Sequence, residues 1–301
     1  MSTSTVTCVG AVTWDTIALV DRLPSVDGRV EAREIIQACG GPAATAAVTL
    51  RRLGIPVSFV GIVGNDSAGL AVLASLRREG VDTSGVIQSS TMRTSRSLIT
   101  VCGPTRTIVT EAVPASALGG VVMPPDATSW YHVDQLGWPL LPKPLPRGSR
   151  LSVDEGNPIE GLRLQEVDLY GPTQARLVTR YPGQDVEGAL RRAARDGARM
   201  VVATMGSAGS ITYDGTRIDH IPAHPVAVTS TLGAGDVFHG AVLAGLINGM
   251  SLSTAAGLAS EVAARSCTAL DGQSAIPRHD DVAELKAWKA QVDPLNQENP
   301  E

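Results

Sequence analysis

The stretch with the clearest potential for chemistry is 230–240, which reads STLGAGDVFHG. Its small residues Gly233, Ala234 and Gly235 let a ligand approach the backbone closely. An Ala-rich segment of helical composition follows, and the N-terminus of a helix presents free N–H groups and the positive end of its dipole. The segment therefore predicts a site for a phosphate-sized anion.

Asp236 falls in the first turn of this predicted helix and admits two interpretations. A carboxylate there can simply stabilise the helix, because its charge complements the helix dipole. Alternatively, Asp236 accepts the proton of a substrate hydroxyl while the preceding amides hold the charge of a transferring phosphoryl group. The local sequence leaves both interpretations open.

Two further glycine segments are candidate ligand sites. Residues 40–45 (GGPAAT) end a predicted strand and precede a predicted helix, so they form either a turn with a helix cap or a bare backbone platform for a polyol. Residues 204–209 (TMGSAG) follow the predicted central strand, where open α/β sheets bind nucleotides. The sequence contains no G-x-x-x-x-G-K-[ST] motif, and no G-x-G-x-x-G follows its first strand, which weakens the P-loop and dinucleotide-binding interpretations.

The elements that must position these residues alternate between strand and helix. Short apolar runs predict strands at 5–10, 57–64, 129–133, 151–154, 166–169 and 198–204, and a hairpin at 211–221. Helices are predicted at 43–53, 66–79, 172–180, 185–196, 235–248, 252–266 and 280–291. This order indicates an α/β protein with a parallel sheet.

Two stretches depart from that order. Residues 16–21 and 30–37 alternate between polar and apolar around an Asp-Gly turn, which predicts an exposed antiparallel hairpin. Residues 95–111 predict a second one. We expect the two hairpins to join in a small separate sheet attached to one large domain spanning 1–301.

The composition argues against several classes of protein. Hydrophobic residues make up 43% and charged residues 18% of the chain, which is too apolar for disorder and too interrupted for a membrane protein. A net charge of −5 without clustered Lys and Arg argues against a nucleic-acid partner. The four cysteines form no C-x-x-C pair, which favours reduced thiols. Since 1–10 lack the features of a signal peptide, we expect a cytoplasmic protein.

The segments GGPAATAAVTLRRLG and STLGAGDVFHGAVLAGL resemble both signature regions of the ribokinase/PfkB family of carbohydrate kinases. A G-x-x-G-x-D-x-x-G pattern at 61–69, the VVAT-x-G-x-x-G stretch and Gly272 within CTALDGQSAIP agree, so the resemblance extends from Gly10 to Pro277. It implies a three-layer α/β/α ribokinase-like domain with a small β-sheet lid, formed by about 16–38 and 95–112. The sugar is implied to lie between domain and lid, next to the nucleotide.

The resemblance also implies roles for the matching residues. Asp236 is implied to be the catalytic base. The implied anion hole for the γ-phosphate consists of Gly233, Ala234 and Gly235. Asp15 matches a ligand of the sugar hydroxyls, although a solvated position at the lid edge is the alternative, and Gly40 and Gly41 match further sugar contacts. The implied nucleotide-side residues are Thr204, Gly206, Gly209 and Gly272.

Three departures from the family pattern bear on the activity. Thr45 stands in place of the usual Asn on the sugar side and offers one hydroxyl instead of an amide. Ser230 replaces an Asp often associated with a monovalent cation, which makes potassium activation doubtful. Residues 173–176 (TQAR) replace an N-x-x-E motif, so Mg²⁺ is expected to rely on the phosphates of ATP and on water rather than on direct protein ligands.

The substrate is less well determined. The signatures are most similar to the branch that includes sulfofructose kinase and, more loosely, the ketohexose kinases, but no arginine occurs in SWYHVDQLGW, where a sulfonate ligand is expected. Arg29 and Arg96 are either anion ligands or solvated surface residues. If Glu111 faces the sugar, it disfavours an anionic substrate by repulsion.

The sequence thus predicts an ATP-dependent kinase that phosphorylates a hydroxyl of a ketohexose- or sulfofructose-like carbohydrate. A nucleoside kinase is one alternative, although the ten aromatic residues argue mildly against it because a nucleobase favours a stacking ring. A catalytically weakened sugar- or nucleotide-binding homologue is another, and the intact Gly-Ala-Gly-Asp favours an active enzyme over it. Exposed strand edges in the lid predict a homodimer formed through it.

Overall fold

The structure is a computed structural model that describes residues 5–114, 128–283 and 285. Its strands are β1 (Val6–Val9), β2 (Thr13–Val20), β3 (Ala32–Gly40), β4 (Val57–Gly64), β5 (Val86–Ser89), β6 (Arg96–Cys102), β7 (Thr105–Thr110), β8 (Trp130–Val133), β9 (Arg150–Glu155), β10 (Leu169–Pro172), β11 (Met200–Thr204), β12 (Ser210–Tyr213) and β13 (Ile218–Ile221). Its α-helices are α1 (Pro42–Arg52), α2 (Ser67–Arg78), α3 (Gln174–Arg180), α4 (Val186–Arg195), α5 (Ala234–Ile247) and α6 (Leu252–Ser266).

The larger sheet has the strand order β13-β12-β11-β10-β9-β8-β1-β4-β5. The strands from β5 to β11 in this order are parallel, and β12 and β13 complete the sheet as an antiparallel hairpin. Apolar side chains of α1, α2, α5 and α6 form a core on one face, and those of α3 and α4 form a core on the other. This arrangement confirms the predicted three-layer α/β/α architecture.

The predicted strand at 166–169 is wrong by three residues. Leu164–Glu166 form a 3-10 turn, from which Leu164 packs into the core, and β10 begins at Leu169. Most of the predicted helix 280–291 lies outside the described residues, and His279–Asp281 form a 3-10 turn. In the described part of the chain, no helix has the length and apolar character needed to cross a membrane.

The second sheet consists of the two predicted hairpins. Within the described residues its strand order is β3-β2-β6-β7, in which β2 pairs antiparallel with β3 and parallel with β6. Ile17, Ile99 and Val101 line its inner face and pack on Leu270, which follows α6. The inner face of the small sheet therefore points at the carboxyl edge of the large sheet.

A buried carboxylate connects the two sheets. Asp134, directly after β8, accepts hydrogen bonds through Oδ1 from Leu136 N at 2.8 Å and Gly137 N at 3.0 Å. Through Oδ2 it accepts bonds from Ala11 N at 2.7 Å and Ala43 N at 3.2 Å. The second pair ties the β1–β2 junction and the first turn of α1 to one point, so Asp134 caps a helix from a distant strand.

We expect Asp134→Asn to lower the free energy of unfolding by about 2–4 kcal/mol, because an amide NH₂ group would face backbone donors that now have an acceptor. Chemical denaturation measures the change. Asp185→Asn is the matched control, since Asp185 caps α4 by accepting Gly188 N at 2.7 Å and Asn caps equally well. Equal unfolding midpoints for the two variants would contradict this role of Asp134.

Candidate active site

A small pocket lies between the small sheet and the start of α5. Its lining residues are Asp15, Ile17, Cys39, Gly40, Gly41, Thr45, Leu232, Gly233, Asp236 and Gly272. Seven of these ten were singled out in the sequence. The pocket therefore brings together residues from β2, β3, α1 and two loops that are far apart along the chain.

The start of α5 forms one end of this pocket, which Leu232, Gly233 and Asp236 line. Gly233 precedes the helix with a left-handed φ of 71° and, having no side chain, provides no cap for the helix. The first N–H groups of a helix lack partners within it and attract anions. Ala234 N donates to Thr231 O at 3.3 Å, so one amide of the predicted anion hole is engaged within the turn.

Asp236 is half-buried in the first turn of α5 and lines the pocket. Burial raises its pKa well above the ordinary value, and the charges of Asp154 and Asp134 add to this effect, while His239 and Arg106 oppose it. A carboxylate that only complemented the helix dipole would have a lowered pKa. The raised pKa is instead the property that a general base requires.

Asp15 lies within β2. It is only 5% exposed, which excludes a solvated edge position. Burial raises its pKa, although hydrogen bonds from Thr13 and Ser97 oppose the shift. Its Oδ1 has no hydrogen-bond partner among the described residues, and a Cβ at Gly40 would lie 2.0 Å from its Oδ2. Gly40 therefore leaves room for a carboxylate with one oxygen available to a ligand.

Thr45 connects the first turn of α1 with the loop after α6. Its Oγ1 accepts a hydrogen bond from Gln273 Nε2 at 3.1 Å, and both side chains are buried. The same loop carries Gly272, whose backbone packs beside Gly233. Thr45 thus helps to hold the segment that borders the start of α5.

The predicted nucleotide-side residues other than Gly272 lie outside this pocket, at the carboxyl end of β11. Thr204 ends that strand and forms a parallel bridge with Thr173. Met205 N donates to Gly209 O at 2.8 Å, which closes the loop around a 3-10 turn at Gly206–Ala208. These residues occupy the edge at which open α/β sheets bind ligands.

Arg29, Arg96 and Glu111 do not line the pocket. Arg29 is exposed. Arg96 makes a two-pronged pair with Glu111, with Nη2 2.7 Å from Oε1 and Nε 3.1 Å from Oε2. The hydrogen bonds and charge of Arg96 lower the pKa of Glu111. This pairing offsets the negative charge with which Glu111 would repel an anionic substrate. A role of Arg29, Arg96 and Glu111 as substrate ligands stays a prediction.

Arg106 was not singled out in the sequence. It lies on β7, and its Nη1 donates to Thr231 Oγ1 at 2.9 Å, just before the start of α5. Its positive charge also lowers the pKa of Asp236. Since 125 positions separate Arg106 from Thr231, no local pattern indicates this contact.

The chain is similar to known sugar kinases over most of its length. The model of the pfkB family of carbohydrate kinases matches 3–133 and 167–279. The chain is 24% identical to a ribokinase of Lactococcus lactis over 94% of this chain and 96% of that protein. It is 29% identical to a fructokinase of Klebsiella pneumoniae over 88% of this chain and 95% of that protein.

Comparison with solved structures shows that the fold is also that of these kinases. The structure of Arabidopsis thaliana ribokinase complexed with ribose and ATP has a TM-score of 0.73 to this chain and 19% identity, and covers 95% of this chain and 99% of that one. The family match spans well over half of the residues. The chain therefore belongs to the pfkB family of carbohydrate kinases, which are phosphotransferases that act on sugar hydroxyl groups.

Proposed function

We propose that this protein is an ATP-dependent kinase that phosphorylates a hydroxyl of a ketohexose-like sugar. The observation that carries the proposal is the pocket that Asp15 and Asp236 share at the N-terminus of α5. Asp15 has an oxygen that is available to accept a hydrogen bond from a sugar hydroxyl. Asp236 has the raised pKa of a base. The similarity to a fructokinase supports a ketohexose as the acceptor.

In this proposal the attacking group is a sugar hydroxyl oriented by Asp15. Asp236 takes the hydroxyl proton as the oxygen forms a bond to the γ-phosphorus, and the bond from that phosphorus to the bridging oxygen of ADP breaks. The N–H groups at the start of α5 and the guanidinium of Arg106 stabilise the negative charge on the transferring group. The small sheet acts as the lid of a single domain spanning 1–301, since it carries both Asp15 and Arg106.

The carboxyl end of β11 suits ATP, because Gly206 is exposed and, apart from its chain neighbours, no heavy atom of the described residues lies within 4 Å of the place where a Cβ would stand. In this proposal ATP is held by Thr204, Gly206 and Gly209, with Gly272 on its other side. The described part of the chain contains no group of three His, Cys, Asp or Glu side chains that could hold a metal. Mg²⁺ would be bound by phosphate oxygens and water, and it would neutralise phosphate charge.

Potassium activation is not part of the proposal. Ser230 is buried, and its Oγ accepts a hydrogen bond from Leu232 N at 3.1 Å. A neutral hydroxyl engaged in this way supplies no carboxylate for a monovalent cation. A nucleoside acceptor is also disfavoured, because none of the described residues lining the pocket is aromatic.

We also propose a homodimer formed through the lid. On the outer face of the small sheet, Ile35, Leu98 and Val109 are 65%, 65% and 70% exposed. The strand registers place them on one face: Ile35 pairs with Ala18, and Leu98 pairs with both Thr16 and Val109. Burial of this face against a second copy removes the apolar surface from water.

We expect Leu98→Asp with Val109→Lys to convert the dimer to a monomer, because charges would enter an apolar interface. Light scattering after size exclusion measures the mass. The control, Leu70→Asp, changes an apolar side chain that is 59% exposed on α2. A monomeric mass for the unmodified protein would contradict the dimer.

Asp236→Asn should lower kcat by about 10²–10⁴-fold, because the hydroxyl proton loses its acceptor, while ATP affinity should change little. An ATP-consumption assay with fructose and calorimetric ATP binding measure the two effects. In the unmodified enzyme, the raised pKa places the acidic limb of kcat/KM above the ~3.9 of an ordinary Asp, and activity falls as pH falls through it. Asp280→Asn is the control, since that side chain is 90% exposed. Full turnover by Asp236→Asn would remove Asp236 as the base.

Arg106→Gln should lower kcat/KM by about 10–100-fold, the effect of losing one charge-assisted hydrogen bond. Arg33→Gln on the same sheet is the matched control, because Arg33 pairs with Asp21 and both side chains are about two-thirds exposed. The same steady-state assay compares them. If the two variants have the same activity, Arg106 has no part in transfer.

A further inference from the structure

One turn along α5 from Asp236, three buried polar residues lie where the helix packs on the large sheet. His239 comes from the helix, Asp154 from β9 and His132 from β8, and none is more than 3% exposed. We call them the buried polar cluster. The mechanism above uses none of them, although burying such groups in a helix–sheet interface carries a free-energy cost.

The ring of His239 is held in one place. Its Nδ1 lies 2.8 Å from Asp154 Oδ2, although the angle is not that of a regular hydrogen bond. On β10, a Cβ at Gly171 would lie 2.9 Å from both Cδ2 and Nε2 of the ring. The imidazole therefore fits against the sheet because position 171 has no side chain.

The two histidines of the cluster carry different charges. For His239, burial opposes protonation, but the charge and contact of Asp154 outweigh it and raise the pKa. For His132, burial lowers the pKa to about 4, and its Nδ1 is 3.0 Å from Ser152 Oγ. The 2.8 Å contact and the raised pKa favour a protonated His239 paired with Asp154, whereas the lowered pKa favours a neutral His132.

This ion pair belongs to the charges that surround Asp236. Asp154 on β9 and Asp134 after β8 act to raise the pKa of Asp236, and His239 on α5 and Arg106 on β7 act to lower it. The effect of Asp154 is larger than that of His239. His132 faces the same cluster without a charge.

We propose that the His239–Asp154 pair is a positioning element for phosphoryl transfer, which holds the first turn of α5 on the sheet and balances the charge around Asp236. The inference rests on the kinase function proposed above. The proposal predicts that removal of His239 and removal of Asp154 have opposite effects on the ionisation of Asp236. Loss of His239 leaves the negative charge of Asp154 uncompensated beside Asp236, whereas loss of Asp154 removes the stronger of the two influences.

The test is the pH dependence of kcat/KM in variants of the full-length enzyme. His239→Asn should move the acidic limb up by about one pH unit, because the ionised base becomes less favourable. Asp154→Asn should move it down. His132→Asn is the control, and it should leave the limb in place because a neutral ring is removed. If the acidic limbs of the His239 and Asp154 variants fall at the same pH, the proposal is wrong. A pair that only stabilised the structure would lower kcat in both variants without moving their acidic limbs apart.

A second measurement is independent of turnover. NMR titration of the His239 ring should give a pKa above the ~6.5 of an ordinary His in the unmodified protein and a lower value in Asp154→Asn. Where His239→Asn fails to fold, His239→Gln takes its place in the kinetic test. An unmodified protein that phosphorylates no sugar would refute the kinase function, whereas an ordinary His239 titration would refute the ion pair.

Discussion

The structure depends on one carboxylate that bonds to backbone from three segments. Asp134 accepts N–H groups from the β1–β2 junction, from the start of α1 and from its own loop. Because β2 carries Asp15 and the segment before α1 carries Gly40 and Gly41, this carboxylate locates the wall of the pocket that is proposed to face the sugar. Burial raises the pKa of Asp134 to about 6, and its charge also acts on Asp236. The Asp134 carboxylate therefore both holds the backbone around the pocket and contributes to the charge that acts on Asp236.

Among the described residues, the pocket and its surroundings carry more carboxylates than cations. Asp15, Asp134, Asp154 and Asp236 are set against His239 and Arg106. Such an excess of negative charge disfavours a bare polyphosphate and favours one whose charge is already reduced by a divalent cation. It also raises the pKa of Asp236, the proposed base, towards the range in which proton transfer from a hydroxyl is efficient.

Local sequence patterns predicted the parts of the molecule whose causes are local. The glycines before α5 and the small residues before α1 identified two walls of the pocket, because backbone conformation and helix termini depend on neighbouring residues. The parallel pairing of β2 with β6 and the contact of Arg106 with Thr231 join distant segments and leave no periodic signal. Asp134 and Asp154 went unnoticed for the same reason, as their partners lie on other elements. The start of β10 was misplaced because buried apolar residues in a turn resemble those of a strand.

The hydrogen-bonded small sheet has a mechanical consequence. Asp15 on β2 and Arg106 on β7 are connected through β6, which pairs with both strands. Strands joined in this way form one hydrogen-bonded unit, so any displacement of the small sheet would carry the side chain proposed to contact the acceptor together with the side chain that contacts the start of α5. In the proposed kinase, sugar and phosphoryl group would then be enclosed in a single movement.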